Sequence, residues 1–363
     1  MSPSRPDPRP EQRRGRGAVS MPQARFEPQS REGFDDGWDL AEEAPPLATE
    51  VTMERARSIV SRNESPDIGF DRSINPYRGC EHGCVYCFAR PTHAYLGLSP
   101  GLDFETRLFA KSNAAELLER ELGLPSYRPA PIALGANTDP YQPIERRLRV
   151  TRAVLEVLAR TRHPVTIVTK GALVTRDLDL LAPMAAQGLA KVAVSVTTLD
   201  PRLARRMEPR ASGPRLRLEA IRALTEAGVP VMALVAPLIP GVNDHELEAV
   251  LEAACDAGAR EAGYVMLRLP HELKDIVRDW LREHYPGRAD RVFAVLREMH
   301  GGKDYDPAFG TRQTGTGPFA ALTARRFETA LKRLAMTPRG GLRLRTDLFQ
   351  PPARGAPGQL SLF

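Results

Sequence analysis

Residues 75–87 read NPYRGCEHGCVYC and hold Cys80, Cys84 and Cys87, three of the chain's four cysteines, within eight positions. The spacing is C-x3-C-x2-C. Thiolates are soft ligands that suit iron–sulfur clusters or zinc. A structural zinc site closes with four protein ligands, and the motif supplies three. His82 and His93 are the nearby candidates for a fourth. His82 lies inside the short cysteine loop, where closing a tetrahedron would strain the backbone. Three free buried thiols are the bland alternative. The remaining cysteine, Cys255, sits in the helical pattern EAACDAGA and reads as a small core residue. Four cysteines so distributed are not a disulfide framework.

Working outward, IGFDRSINPYRG (68–79) reads as a strand that delivers the cysteines at its carboxyl end. Five more short apolar runs follow: PIALGA, PVTIVTKG, AKVAVSVTT, VPVMALVAPLIPG and EAGYVMLRL. Helical patterns alternate with them, among them RRLRVTRAVLEVLART, RLEAIRALTEAG and DHELEAVLEAACDAGA. Strands that are apolar without alternation, each followed by a helix of ten or more residues, call for a parallel sheet with helices outside. Six such units fit a partial TIM-type (β/α)6 barrel or an open doubly wound sheet, and periodicity does not separate the two. In both, the carboxyl ends of the strands carry the site.

Four segments are expected along the chain. Residues 1–45 are rich in Pro, Arg and Gly and read as a disordered basic tail. Residues 46–270 form the barrel. Residues 271–340 form a helical extension interrupted by the glycine-rich loop YDPAFGTRQTGTGPF, and 341–363 form a flexible tail ending in QLSLF. The net charge of +6 favours polyanionic partners such as nucleic acid. No apolar window of about 18 residues is present, so no membrane span is expected, and the N-terminus lacks a signal-peptide pattern, which predicts a cytoplasmic protein.

CEHGCVYC matches the C-x3-C-x-φ-C signature of radical S-adenosylmethionine (radical SAM) enzymes, with Tyr86 as the aromatic φ. The resemblance spans roughly residues 60–270. Within the superfamily, SINPYRGCEHGCVYCFAR, TDPYQPIE, VTKG and SVTT resemble the landmarks of the spore photoproduct lyase-like DNA repair group, in an uncharacterised bacterial branch of it. The resemblance implies the partial barrel. It also implies that three cysteines hold a [4Fe–4S] cluster whose fourth iron is chelated by S-adenosyl-L-methionine. Reductive cleavage of that cosubstrate then gives a 5′-deoxyadenosyl radical that removes a substrate hydrogen. The electron would come from a reductant such as flavodoxin or ferredoxin.

Cofactor contacts are expected at the strand ends. Asn137, Thr138 and Asp139 follow the second strand, where an amide or carboxylate acceptor suits the methionine amine. Lys170 follows the third and suits the carboxylate. Ser195 and Thr197 end the fourth, two residues apart on one face. Arg206, with Glu208 and Arg210, follows that strand in the place of a carboxylate clamp, and Tyr86 would contact adenine. The spore enzyme returns a hydrogen atom from a dedicated cysteine after its second strand. No cysteine stands in GANTDPYQPIE, and Tyr141 is the conceivable donor there.

The final QLSLF is similar to the peptide by which bacterial polymerases and repair proteins grip the replication sliding clamp. Gln359 would supply hydrogen bonds, with Leu360, Leu362 and Phe363 as anchors. Self-docking of the peptide is the alternative. Three functions are therefore open: a radical enzyme acting on damaged DNA, the same chemistry on RNA or a protein side chain, and a metal-stabilised, non-catalytic clamp-binding module.

Overall fold

The computed structural model describes residues 13–26 and 47–352. Its centre is a sheet of six parallel strands: β1 (Arg72–Ile74), β2 (Ile132–Leu134), β3 (Val165–Thr169), β4 (Ala190–Ser195), β5 (Val231–Leu238) and β6 (Glu261–Met266). They lie side by side in chain order. Each coincides with one of the apolar runs named above. β1, β2 and β4 are buried at every position, as strands covered on both faces must be.

Helices connect them on the outside: α1 (Ala114–Leu122), α2 (Val150–Arg160), α3 (Leu178–Ala186), α4 (Pro214–Glu226) and α5 (Leu247–Asp256). In α2 the buried Val150, Val154, Leu155 and Leu158 recur at helical spacing and face the sheet. The sheet does not close. Val60–Arg62 adds antiparallel to β1 at one edge, and Thr337–Pro338 adds parallel to β6 at the other. The fold is therefore a partial (β/α)6 barrel. A second small sheet pairs Glu50–Glu54 with Arg107–Lys111, which pairs in turn with Tyr77–Arg78.

The extension contains α6 (Leu273–His284), α7 (Ala289–Met299) and α8 (Gly317–Arg333). It is continuous with the barrel, because Thr337–Pro338 joins the main sheet and Arg326 of α8 pairs with Glu248 of α5 at 2.6 Å.

Two expectations about the ends need correction. Residues 13–26, predicted as disordered tail, pack on the protein, with Ala18 fully buried. Residues 341–352, predicted as flexible, are held by Arg345 N–H to Gly188 O and Gln350 N–H to Thr161 O, each at 2.9 Å. Phe349 packs against Tyr127 and His163. Composition misleads here because docking depends on a few residues in an otherwise polar segment. The peptide at 359–363 lies outside the described residues.

Candidate active site

After β1 the chain crosses the carboxyl end of the sheet as the cysteine loop. Gly79 and Gly83 adopt left-handed backbone (φ +75° and +66°). A Cβ on Gly79 would stand 2.9 Å from Phe104 O, and one on Gly83 would stand 2.6 Å from Glu105 Oε2. Glycine is thus required at both turns. Cys80 N–H donates to Phe104 O (2.9 Å), and Gln142 braces the loop from Gly79 O to Glu81 N–H. Arg90, fully buried, donates to the carbonyls of Gly83, Cys84, Pro100 and Gly101 and to Glu105.

All three cysteines line one cavity of about 250 Å³. The strand ends supply its walls: Gly135, Asn137 and Asp139 after β2, Lys170 after β3, Ser195 of β4, Ala236 and Pro237 of β5, Met266 of β6 and Arg268 after it. Phe70, Phe88 and Gln313 complete the mouth. Burial pushes the thiols of Cys80, Cys84 and Cys87 up, and Lys170 pulls the other way at Cys84 and Cys87. Thiolates here need a bound cationic centre to offset their desolvation, which is what a metal cluster provides. Soft donors, all from one short loop and facing one chamber, fit an iron–sulfur cluster.

The expected cofactor residues divide in two. Asn137, Asp139, Lys170, Ser195 and Tyr86 line the cavity. The Lys170 ammonium lies 5.6 Å from the Tyr86 ring centroid. Asp139 accepts Lys170 N–H (2.7 Å), Thr169 Oγ1–H (2.7 Å) and Tyr141 N–H (2.9 Å), and His82 Nδ1 is 3.3 Å away. Burial alone would raise its pKa, but His82, followed by these hydrogen bonds, outweighs burial and holds it at about 2. Asp139 is therefore an ionised anchor for the Lys170 turn.

Thr138, Thr197, Arg206 and Tyr141 are not among the lining residues. Thr138 donates to Tyr77 O at 2.9 Å. Thr197 donates to Glu208 at 2.6 Å. Arg206 is exposed, with its guanidinium 5.8 Å from the Tyr285 ring centroid, so it faces away from the cavity. The Tyr141 hydroxyl is buried and donates to Asp177 at 3.0 Å, which removes it from the position of a hydrogen donor.

The segment after β4 braces the cysteine loop. Val85 N–H donates to Met207 O (3.0 Å) and Arg210 N–H to His82 O (3.3 Å). Buried Glu208 accepts from the Tyr86 hydroxyl and from Arg217, which fixes the Tyr86 ring against the cavity wall. Sequence reasoning missed Arg90, Glu105, Gln142 and Arg217, whose side chains are ordinary surface types. It also missed Arg268, which lies two residues beyond the sixth strand, at the end where barrels place functional side chains.

The family model of the radical SAM superfamily matches residues 74–254. Uncharacterized proteins of Mycobacterium tuberculosis and Mycobacterium bovis are each 40% identical over 230 residues, covering 63% of this chain and 68% of theirs. An uncharacterized protein of Methanocaldococcus jannaschii is 26% identical over 197 residues, covering 54% of this chain and 71% of that one. Spore photoproduct lyase complexed with dinucleoside spore photoproduct has a TM-score of 0.56 at 15% identity, covering 79% of this chain and 80% of that one. At that identity the likeness is one of fold.

The chain belongs to the radical SAM superfamily and is an enzyme of it, with a [4Fe–4S] cluster and S-adenosylmethionine as the family's cofactors. Bound together, these supply electron transfer and hydrogen abstraction. Cys80, Cys84 and Cys87 are the residues that would hold the cluster, and Asp139, Lys170, Ser195 and Tyr86 line the same cavity, where they would face the cosubstrate.

Proposed function

We propose that this enzyme acts on nucleic acid and that its substrate is a damaged base presented at the cavity beside Phe88 and Arg268. The observation that carries the reading is the Arg268 guanidinium, 5.1 Å from the ring centroid of Phe88 at the cavity mouth. Phe88 is 43% exposed, so one aromatic surface remains open to a partner. Arg268 Nε has no hydrogen-bond partner among the described residues and is a donor in reserve. An aromatic face beside an arginine suits a stacked base and its phosphate. The net charge of +6 supports a polyanionic partner. The fold neighbour that binds a dinucleoside photoproduct supports the same class of substrate.

The test is anaerobic. The protein is reconstituted with iron and sulfide and given S-adenosylmethionine and a reductant such as flavodoxin or ferredoxin. 5′-Deoxyadenosine is then measured with and without ultraviolet-damaged DNA. Stimulation by damaged DNA, lost in Arg268→Ala, is the expected result. Cleavage indifferent to DNA overturns the DNA reading and directs the search to RNA or a protein side chain.

The same reading includes tethering to the DNA sliding clamp through Gln359, Leu360, Leu362 and Phe363. Residues 342–352 support it, because they are anchored beside Thr161 and Gly188, which precede β3 and β4. The chain approaching the peptide thus runs at the amino-terminal ends of the strands, away from the cavity mouth. Deleting residues 359–363 is expected to abolish clamp pull-down while leaving 5′-deoxyadenosine formation intact. Unchanged clamp retention would reject the tether.

A further inference from the structure

Residues 13–26 form a strap across the outside of the cysteine loop. Its ends are ionic: Arg13 pairs with Glu283 of α6 at 2.9 Å, and Arg25 pairs with Glu272, just before α6, at 2.7 Å. Its middle is steric. A Cβ on Gly17 would stand 1.8 Å from Gly83 O, inside the loop between Cys80 and Cys84. A Cβ on Gly101 would stand 2.3 Å from Ser20 O of the strap. Backbone therefore meets backbone at two places, with room for no side chain.

The strap is joined to the loop through one buried carboxylate. Glu105 accepts Gly17 N–H at 2.9 Å, Ala18 N–H at 2.8 Å and the Arg90 guanidinium. Arg90 in turn holds Gly83 O and Cys84 O. Ala18 is fully buried and packs in the same apolar group as Cys84 and Tyr86. Arg16 fastens the strap to the rest of the chain, donating to Glu105 O, Leu47 O and Thr49 Oγ1.

We infer that this N-terminal strap is a positioning element of the cluster site. It sets the Gly83 turn through Gly17, Ala18 and Glu105, and so fixes the thiolates of Cys80 and Cys84 and shields them from solvent. Groups just behind the ligands tune metal affinity in this way. The inference rests on the superfamily's cluster and is independent of the nucleic-acid reading.

The experiment uses the full chain with Gly17→Val, reconstituted anaerobically beside the wild type. Iron and sulfide per chain, the electron paramagnetic resonance spectrum of the reduced cluster, and the rate of bleaching in air are compared. Thermal unfolding of both apoproteins is the control. Expected are a cooperative apoprotein transition at a lower temperature, because the valine displaces the strap from Gly83 O, together with an altered spectrum and bleaching faster by about tenfold or more. Equal iron, an identical spectrum and equal bleaching would overturn the inference. Should Gly17→Val not fold, the Arg13→Ala/Arg25→Ala double variant frees both ends without entering the cysteine loop. Faster bleaching with unchanged apoprotein stability supports the strap's role there, and wild-type bleaching rejects it.

Discussion

Arg90 and Glu105 form an ion pair of 2.5 Å in which neither side chain is exposed to solvent. The rest of the guanidinium is spent on loop carbonyls, so the pair is the internal frame of the cysteine loop. Removing one partner of such a pair leaves the other charge buried, at a cost of about 3–5 kcal/mol. Arg90→Ala is therefore expected to destabilise the apoprotein by about that amount in urea unfolding. Arg90→Lys should rescue little, since an ammonium cannot reproduce the planar fork of donors. A stability close to wild type in Arg90→Ala would contradict the assignment.

Cys84 and Asp139 separate cluster from cosubstrate. Both line the cavity, but only Cys84 offers a thiol to a cluster. Cys84→Ala is expected to remove the cluster's visible absorbance and all formation of 5′-deoxyadenosine. Asp139→Asn keeps the size of the side chain but loses the charge and half the acceptor capacity that hold Lys170 N–H and Thr169. It should retain iron and, by loosening the Lys170 turn, weaken S-adenosylmethionine binding about tenfold, the effect of losing one hydrogen bond to a charged group. Equilibrium dialysis would decide, and unchanged affinity would remove Asp139 from the cosubstrate site.

His163 makes the apoprotein acid-sensitive. It is fully buried, its Nδ1 lies 3.0 Å from Pro164 O, and its Nε2 lies 2.7 Å from the Tyr127 hydroxyl. Burial lowers its pKa from the ordinary 6.5 to about 4, so the folded state binds the proton less well than the unfolded chain. The stabilisation is complete above pH 6.5 and is lost as pH falls towards 4. Within that window the slope from this one group is about 1.4 kcal/mol per pH unit at most. His163→Gln should flatten that part of the profile in unfolding measurements. An unchanged slope would show that other groups carry it.

Asp67 latches the glycine-rich loop over the open side of the barrel. It accepts Gly310 N–H at 2.7 Å and the Arg312 guanidinium, and its own carbonyl accepts from Arg339 at 2.9 Å. The loop places Gln313 in the cavity wall. Asp67→Ala is expected to speed tryptic cleavage after Arg312 by roughly tenfold or more, because it removes the carboxylate's bonds to both Gly310 and Arg312. Equal cleavage rates would mean that the loop is held elsewhere.

Much of the fold was legible because its signals are local. Each barrel strand is buried on both faces and so reads as a short apolar run: Ile132–Leu134 and Ala190–Ser195 stand where PIALGA and AKVAVSVTT predict them. The cysteines were legible for the same reason, since all three thiols come from one loop of eight residues. Chain-order pairing of the strands was implied by the family resemblance and not by the alternation, which an open doubly wound sheet shares.

The second layer of the site was not legible. Glu105 and Arg90 are residue types that normally face water, and nothing near them in sequence announces burial. Thr138 and Thr197 sit close to strand ends in sequence, yet the turns after β2 and β4 bond them elsewhere, and Arg206 lies on the exposed side of the helix Pro201–Met207. The contact of Gly17 with Gly83 and the bond of Arg312 to Asp67 join residues far apart in the chain. The sequence alone determined the thiolate motif and the alternation that builds a parallel sheet, because both depend on spacing over a few residues. The tertiary structure decided which polar side chains face the cavity, which stand behind it, and that the N-terminal segment is part of the site. Those outcomes depend on burial and on hydrogen-bond partners brought together only when the sheet curls and its crossovers pack.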